Sequence, residues 1–459
     1  MKIPFLKRRA SSVVNATDSI LLGYAASTKR WRRKPVYITP EALTDHSLVV
    51  GKAGTGKTTL LKVLAKAAME REMSLVVIDA DGDLAPALLG EVPANRVKEA
   101  TYFDLSNTEQ VVGLNLLDPA TALFPSLIVD TIVRVSEMLW KGHWVALEGD
   151  FLHIALSALV QANVRLAENN EELFTLVDLV PLFENPNFRH QVVSEYLDDD
   201  DLLRWKQCYE GLSEEKRLTI TQPLIAKIRP LAENVVLRNI LGQPKSAINF
   251  RELLSERRIT LINLAQLAIP HETREWLGAI LTRLLAAAIS EERDISETRA
   301  RGQLLVVLDG FQPVTLIDEL ACLPDFQQRG AGIVFSETSL ARLEQSKSTL
   351  ASSLLTNVTN FFAFRTTLQD SELVTPELGA GLGITDLVDL PFHSYYARIQ
   401  QGDQTAPGKR VRTKLPSFVR SAEIREQILS QSSSSTRQAE EVTRARREFE
   451  AQFQKREDS

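Results

Sequence analysis

Short apolar runs alternate with longer stretches in which apolar residues recur three and four positions apart. Ser47-Leu-Val-Val50, Leu75-Val-Val-Ile78, Ile259-Thr-Leu-Ile262, Leu304-Leu-Val-Val-Leu308 and Gly332-Ile-Val-Phe335 are rich in β-branched residues and have no alternating polar face. Strands buried on both faces read this way, so the runs predict an α/β core with a mainly parallel sheet. Between Leu127 and Leu241 such runs vanish and helical periodicity takes over, around the acidic patch Asp198-Asp199-Asp200-Asp201. This stretch predicts an all-helical domain inserted into the α/β core.

The ends differ from the core. Met1 to Asp45 carries the basic cluster Lys29-Arg30-Trp31-Arg32-Arg33-Lys34 and a short strand-like Val36-Tyr37-Ile38. After Pro416 the chain turns polar and charged, with Ser432 to Ser435 between two helical stretches, the composition of a tail that orders late or against a neighbour. The expected organisation is a lead-in over 1–45, a first core part over 46–126, the helical insertion over 127–241, a second core part over 242–416 and a polar helical tail over 417–459. No internal repeat is visible.

Composition narrows the class. The 459 residues are 44% hydrophobic and 24% charged, ordinary globular usage that excludes a fibrous or wholly disordered chain. Cys208 and Cys322 lie far apart without metal-ligand spacing and read as small buried hydrophobes in a reducing compartment. No long apolar run follows the basic amino terminus, so neither a signal peptide nor a spanning helix is predicted and a cytoplasmic location is expected. With a net charge of −6, contact with nucleic acid needs a local basic surface. The cluster around Trp31 could grip a phosphate backbone or be plain solvated surface.

Chemistry concentrates at Gly51-Lys52-Ala53-Gly54-Thr55-Gly56-Lys57-Thr58, followed by Thr59. This is a P-loop in its proper setting, after a predicted strand and opening a helix. Its glycines let the backbone wrap phosphates, its amides and the helix start supply positive potential, Lys57 reaches the β- and γ-phosphates, and Thr58 offers a hydroxyl to Mg²⁺. A second Mg²⁺ residue is expected where an apolar strand ends in an acid, and Leu304-Leu-Val-Val-Leu-Asp309 supplies it. Asp79, Asp81 and Asp83 close another strand; their spacing stops short of an EF-hand, and they read as a strand-to-loop turn at the ligand edge of the sheet, from which Asp79 could reach the nucleotide or its water.

In order along the chain, His46 to Gly51, Ile78 to Asp83, Gly113-Leu-Asn-Leu-Leu117, Phe188-Arg189, Arg238 to Gly242, Ile262-Asn-Leu264, Leu308 to Gln312, Arg329 to Gly332, Asn357-Val358, Phe364-Arg365 and Asp370 resemble the cytoplasmic ATPase part of type IV secretion and conjugation coupling proteins, within the FtsK and HerA group of DNA-pumping motors. The resemblance spans nearly the whole chain. It implies a RecA-like P-loop NTPase core carrying an all-helical domain, use of ATP and Mg²⁺, assembly into a homo-oligomeric ring around DNA held without sequence preference, and secretion or relaxase-type proteins as further partners. Coupling proteins usually carry amino-terminal membrane helices, which nothing in this chain matches, so any link to the inner membrane would be peripheral.

Two positions depart from the family pattern. Gly310 stands where an acidic residue after the Walker B aspartate polarises water, and Phe335-Ser336-Glu337-Thr338 stands where a glutamine closes the sensor strand. In RecA-like sheets that strand lies between the Walker B and P-loop strands, so Glu337 either positions water as the replacement base or is an exposed loop carboxylate, and Glu319 is a weaker candidate. Arg329 and Arg365 match family arginines that could act as arginine fingers across a subunit interface or serve only as surface ion-pair residues. The leading function is a DNA-translocating motor ATPase. The competing reading is a nucleotide-binding assembly module with slow or no hydrolysis; a small-substrate kinase fits poorly with the long helical insertion.

Overall fold

The computed structural model describes residues 19–25, 34–122, 124–140, 144, 146–252, 256–291, 302–310, 320, 322–346, 350–379, 381–401, 404–405, 408–413, 421–433 and 436–454. Lys29 to Arg33, Phe311, Gln312, Glu319, Ser434 and Ser435, all singled out above, lie outside these residues.

Each of the five apolar runs forms a fully buried strand. The strands are β1 (Ile20–Ala25), β2 (Pro35–Ile38), β3 (Ser47–Val50), β4 (Ser74–Asp79), β5 (Ala100–Asp104), β6 (Gln110–Val112), β7 (Ile259–Asn263), β8 (Leu304–Asp309), β9 (Ala331–Glu337), β10 (Asn360–Ala363), β11 (Ser394–Arg398), β12 (Gln400–Gln401), β13 (Gln404–Thr405), β14 (Lys409–Thr413) and β15 (Thr436–Gln438). An 11-stranded sheet runs β2-β1-β14-β11-β10-β3-β9-β8-β4-β7-β5. From β10 to β5 every pairing is parallel, and from β11 to β2 every pairing is antiparallel. The fold is therefore α/β with a mostly parallel sheet. The antiparallel wing escapes a search for apolar runs because one of its faces is wet: Lys409-Arg-Val-Arg-Thr413 buries only Val411 and Thr413.

Both faces of the parallel part are covered. On one face Val49, Val77, Val307 and Val334 meet Leu60, Leu61 and Leu64 of the helix Lys57–Glu70. On the other, Val50, Ile78, Leu308 and Phe335 join a larger core with the helix His271–Glu291 and the helices between Pro125 and Leu241. Among the described residues that stretch contains no strand. Its acidic patch has a local cause: the Asp198 carboxylate caps the helix Asp199–Trp205 by accepting from the Asp201 N–H (2.9 Å), and the acids of the first turn face the positive helix end. Cys208 and Cys322 are exposed, against expectation. Around Cys208 the inward positions belong to Trp205 and Tyr209, which leaves the thiol on the outer side of the turn.

The carboxyl-terminal stretch packs on its own chain. Helix Ala422–Ser433 buries Ile428 in the core beside the P-loop helix, and the Tyr102 N–H of the edge strand β5 donates to Ser432 Oγ (3.2 Å). In helix Ala439–Gln454, Arg446 forms a buried ion pair with Asp178, whose carboxylate also accepts from the Thr175 N–H (2.7 Å) and hydroxyl (2.9 Å). This polar docking has no apolar signature in the sequence. Removing one partner of a buried ion pair strands the other charge, typically at about 3–5 kcal/mol. Arg446→Met should loosen the helix 439–454 by about that amount, seen as faster amide hydrogen exchange there, and adding Asp178→Asn should restore much of the protection. Wild-type protection in the single variant would show that the pair does not hold the tail.

Candidate active site

The P-loop is pinned by its backbone on three sides. The Gly51 N–H donates to the Glu337 carbonyl (3.1 Å), the Lys52 N–H to the Arg365 carbonyl (2.8 Å), and the Thr55 carbonyl accepts from the His393 N–H (3.0 Å). Gly56 turns into the helix at φ +116°, and a Cβ there would stand 3.0 Å from His393 Nδ1, so both conformation and space call for glycine. Helix Lys57–Glu70 starts with no side-chain cap, which leaves its first N–H groups for an anion. Lys57 Nζ closes the loop by donating to the carbonyls of Gly51 (2.6 Å) and Lys52 (3.3 Å).

Parallel register then brings acids to the same edge. Asp79 stands opposite Asp309 and Asp309 opposite Ser336, while Glu337 stands opposite Val50, the last strand residue before the P-loop. The strand ending at Glu337 thus lies between the P-loop strand and the Walker B strand. Asp79, Asp309 and Glu337 are all buried. Burial, reinforced by Asp79 and Asp81, pushes Asp309 up to about 6, against the pull of Ser336 and Lys57. Burial and then Asp309 push Glu337 well above the usual carboxylate range, only partly offset by Lys57 and Arg342. Burial lowers Lys57, while Asp309, Asp81 and Glu337 act to hold its proton. The same surroundings favour the neutral carboxyl form of Glu337 over its carboxylate.

Asp79 serves its own loop instead of reaching outward. Its two oxygens accept from the N–H groups of Gly82 (2.7 Å), Leu84 (2.7 Å) and Ala85 (2.8 Å). Arg329 precedes β9, and a strand of that length sets it about 20 Å from the Glu337 end. There it pairs with Asp325 (2.7 Å) and donates to the Ser290 carbonyl (2.6 Å), outside this chain's own P-loop site. Arg365 stays beside the P-loop, with its Nε donating to the Leu390 carbonyl (2.6 Å) and its guanidinium over Phe392. Asp370 is a buried cap, accepting from Ser339 Oγ (2.9 Å) and the Ala341 N–H (2.9 Å). His393, in the left-handed region at φ +57°, borders the P-loop and belongs to no sequence motif.

The donor set fits a Mg²⁺ ion held together with phosphates. Thr58 opens the helix with a hydroxyl and Asp309 closes β8 with a carboxylate. Among the described residues no group of three or more His, Cys, Asp or Glu side chains could cage a metal. Magnesium bound through one or two protein ligands, with water and phosphate oxygens completing its shell, needs no such cage.

A carboxylate raised by burial weakens the fold once it ionises. For Asp309 that cost is absent below about pH 4, grows as pH rises through about 6, and is fully present above about pH 7. Asp309→Asn should accordingly stabilise the nucleotide-free protein at pH 7.5 by about 1–3 kcal/mol, an advantage that shrinks toward pH 5. Denaturation midpoints of the two proteins across that range check it; a constant offset would mean that Asp309 does not titrate there.

Among described residues no helix is long and apolar enough to cross a membrane. A search of curated protein sequences found no significant match. Among solved structures, the conjugative coupling protein TrwB in complex with ADP and Mg²⁺ aligns with a TM-score of 0.58 at 15% identity, over 88% of this chain and 97% of that one. TrwBdeltaN70 in its unbound form gives 0.56 at 15% identity, over 85% and 90%. VirB4 of Thermoanaerobacter pseudethanolicus gives 0.53 at 14% identity, over 90% and 99%. These likenesses show a shared P-loop NTPase fold. The family model described as helicase HerA, central domain, matches residues 22–284, more than half of the 459, and the chain belongs to that family.

Proposed function

We propose that this protein is the ATP-hydrolysing subunit of a DNA-translocating ring that works in DNA transfer or secretion. The observation that carries this reading is the single sheet edge at which the P-loop lysine, the Walker B aspartate and Glu337 converge. Membership of the HerA family and the likeness to coupling proteins, one of them solved with ADP and Mg²⁺, support it.

Residues Gly51 to Thr59 wrap the phosphates, and Lys57 exchanges its bonds to Gly51 and Lys52 for the β- and γ-phosphates. Thr58 and Asp309 hold Mg²⁺, which when bound neutralises developing phosphate charge. Glu337, whose burial favours the neutral form, faces the γ-phosphate end, where a neutral side chain does not repel the nucleotide. Arg329, remote from its own P-loop, serves a neighbouring subunit's site in the ring. The organisation into a core split by the helical insertion supplies one surface for the ring and another for DNA phosphates. The competing reading is an assembly module that binds ATP and scarcely turns it over; Gly310, which offers no acidic side chain beyond Asp309, favours it.

Lys57→Ala should abolish Mg²⁺-dependent nucleotide binding in calorimetry, and equal affinity in both proteins would refute the site. DNA binding should be indifferent to sequence and fall about 10³-fold between about 50 and 200 mM salt, as expected when some six phosphates are contacted. Steady ATP turnover that rises with DNA separates a motor from an assembly module. No binding of single- or double-stranded DNA at low salt, with an ATP analogue present, would favour the module.

A further inference from the structure

Four carboxylates gather at this sheet edge, and three have other work. Asp309 is assigned to the metal, Asp79 is consumed by three backbone N–H groups, and Glu337 is buried. The fourth, Asp81, is exposed, and its carboxylate accepts no hydrogen bond among the described residues. Its charge is nonetheless felt by Lys57, Asp309 and Glu337.

Gly310 explains where this carboxylate sits. A Cβ on Gly310 would lie 2.9 Å from Asp81 Oδ2, 3.0 Å from Cγ and 3.3 Å from Oδ1, so the carboxylate of Asp81 fills the space a side chain at 310 would enter. Gly310 also adopts φ +71°, a conformation that further disfavours a side chain there. The loop bearing Asp81 is held from several sides. The Ala80 N–H donates to the Asp309 carbonyl (3.0 Å), the Leu264 N–H to the Asp79 carbonyl (2.8 Å), and Gly82 packs so closely that a Cβ would come within 2.5 Å of Ala265.

We propose that Asp81 is the catalytic carboxylate that orients the attacking water and takes its proton, from the space beside the Walker B aspartate that Gly310 leaves open. The inference rests on the nucleotide reading above. The water oxygen bonds to the γ-phosphorus as the bond from phosphorus to the β,γ-bridging oxygen breaks. That electron pair leaves with ADP, and the water proton passes to Asp81 and then to solvent, which its exposure permits.

The test uses the full chain with Asp81→Asn and Asp81→Ala. Turnover should fall about 100-fold or more, the usual scale for a lost general base. KM and calorimetric affinity for Mg·ADP should stay within about threefold, while affinity for Mg·ADP·aluminium fluoride should fall about tenfold or more. Wild-type turnover with undiminished fluoride-complex affinity would overturn the assignment, as would lost Mg·ADP affinity, which would make Asp81 a binding residue. A wild-type protein that binds no nucleotide would sink the nucleotide reading itself. Independently of nucleotide, Gly310→Ala should lower Tm, and lower it less when Asp81→Gly is also present. Equal lowering in both backgrounds would refute the contact.

Discussion

The ammonium group of Lys57 stands among acidic residues brought to one edge of the sheet. Asp79, Asp309 and Glu337 are buried there, and Lys57 is itself pushed toward losing its proton by burial. In water such charges would be worth little to one another; with water excluded, each ionisation is costly unless a partner of opposite sign stands close. Two features keep this crowding tolerable. Burial favours the neutral form of Glu337, and Lys57 turns onto the carbonyls of Gly51 and Lys52. A nucleotide with Mg²⁺ would bring phosphate oxygens to the lysine and a dication to the carboxylates at once, relieving both deficits. Binding and ordering of the site are then one thermodynamic event, with the ligand stabilising the form it selects.

The sheet enforces this crowding. In parallel strands all carboxyl ends emerge on the same side, so acids at the ends of adjacent strands become neighbours whatever their separation in sequence. The rest of the molecule protects the arrangement. The antiparallel wing from β11 to β2 extends the sheet beyond β10, and helix Ala422–Ser433 meets the far edge, where Ser432 accepts from β5. Open strand edges invite pairing with other chains, and this protein covers one with its own carboxyl-terminal stretch.

Much of this was legible in the residues because it rests on local, strongly patterned signals. The five apolar runs could only be doubly buried strands, and the P-loop between a strand and a helix carries its own geometry. The long strandless stretch announced the helical insertion. What escaped was set by tertiary contact. Lys409-Arg-Val-Arg-Thr413 is strand because its neighbours pair with it, not because it is apolar. Arg446 and Asp178, 268 residues apart, leave no trace of their pairing in composition. Asp79 stood next to the expected ligand edge, yet its oxygens are taken by the N–H groups of its own loop, a detail no spacing reveals. His393 borders the P-loop only because the turn before β11 returns there.

Gly310 shows why a missing side chain in a sequence is not the same as a missing group in space. A position directly after β8 and one just after β4 are far apart along the chain, but the two strands are paired with Asp79 opposite Asp309. The pairing continues one step past the strands, where the Ala80 N–H donates to the Asp309 carbonyl. A carboxylate on the β4 loop is then displaced by about one strand spacing, roughly 4.8 Å, from one rooted on β8, a gap that a side chain spans. Glycine at 310 is what lets it do so, since any Cβ there would collide with the Asp81 carboxylate. The exchange also changes the group's character. Asp81 comes from an exposed loop in reach of solvent, while Asp79, Asp309 and Glu337 beside it are buried.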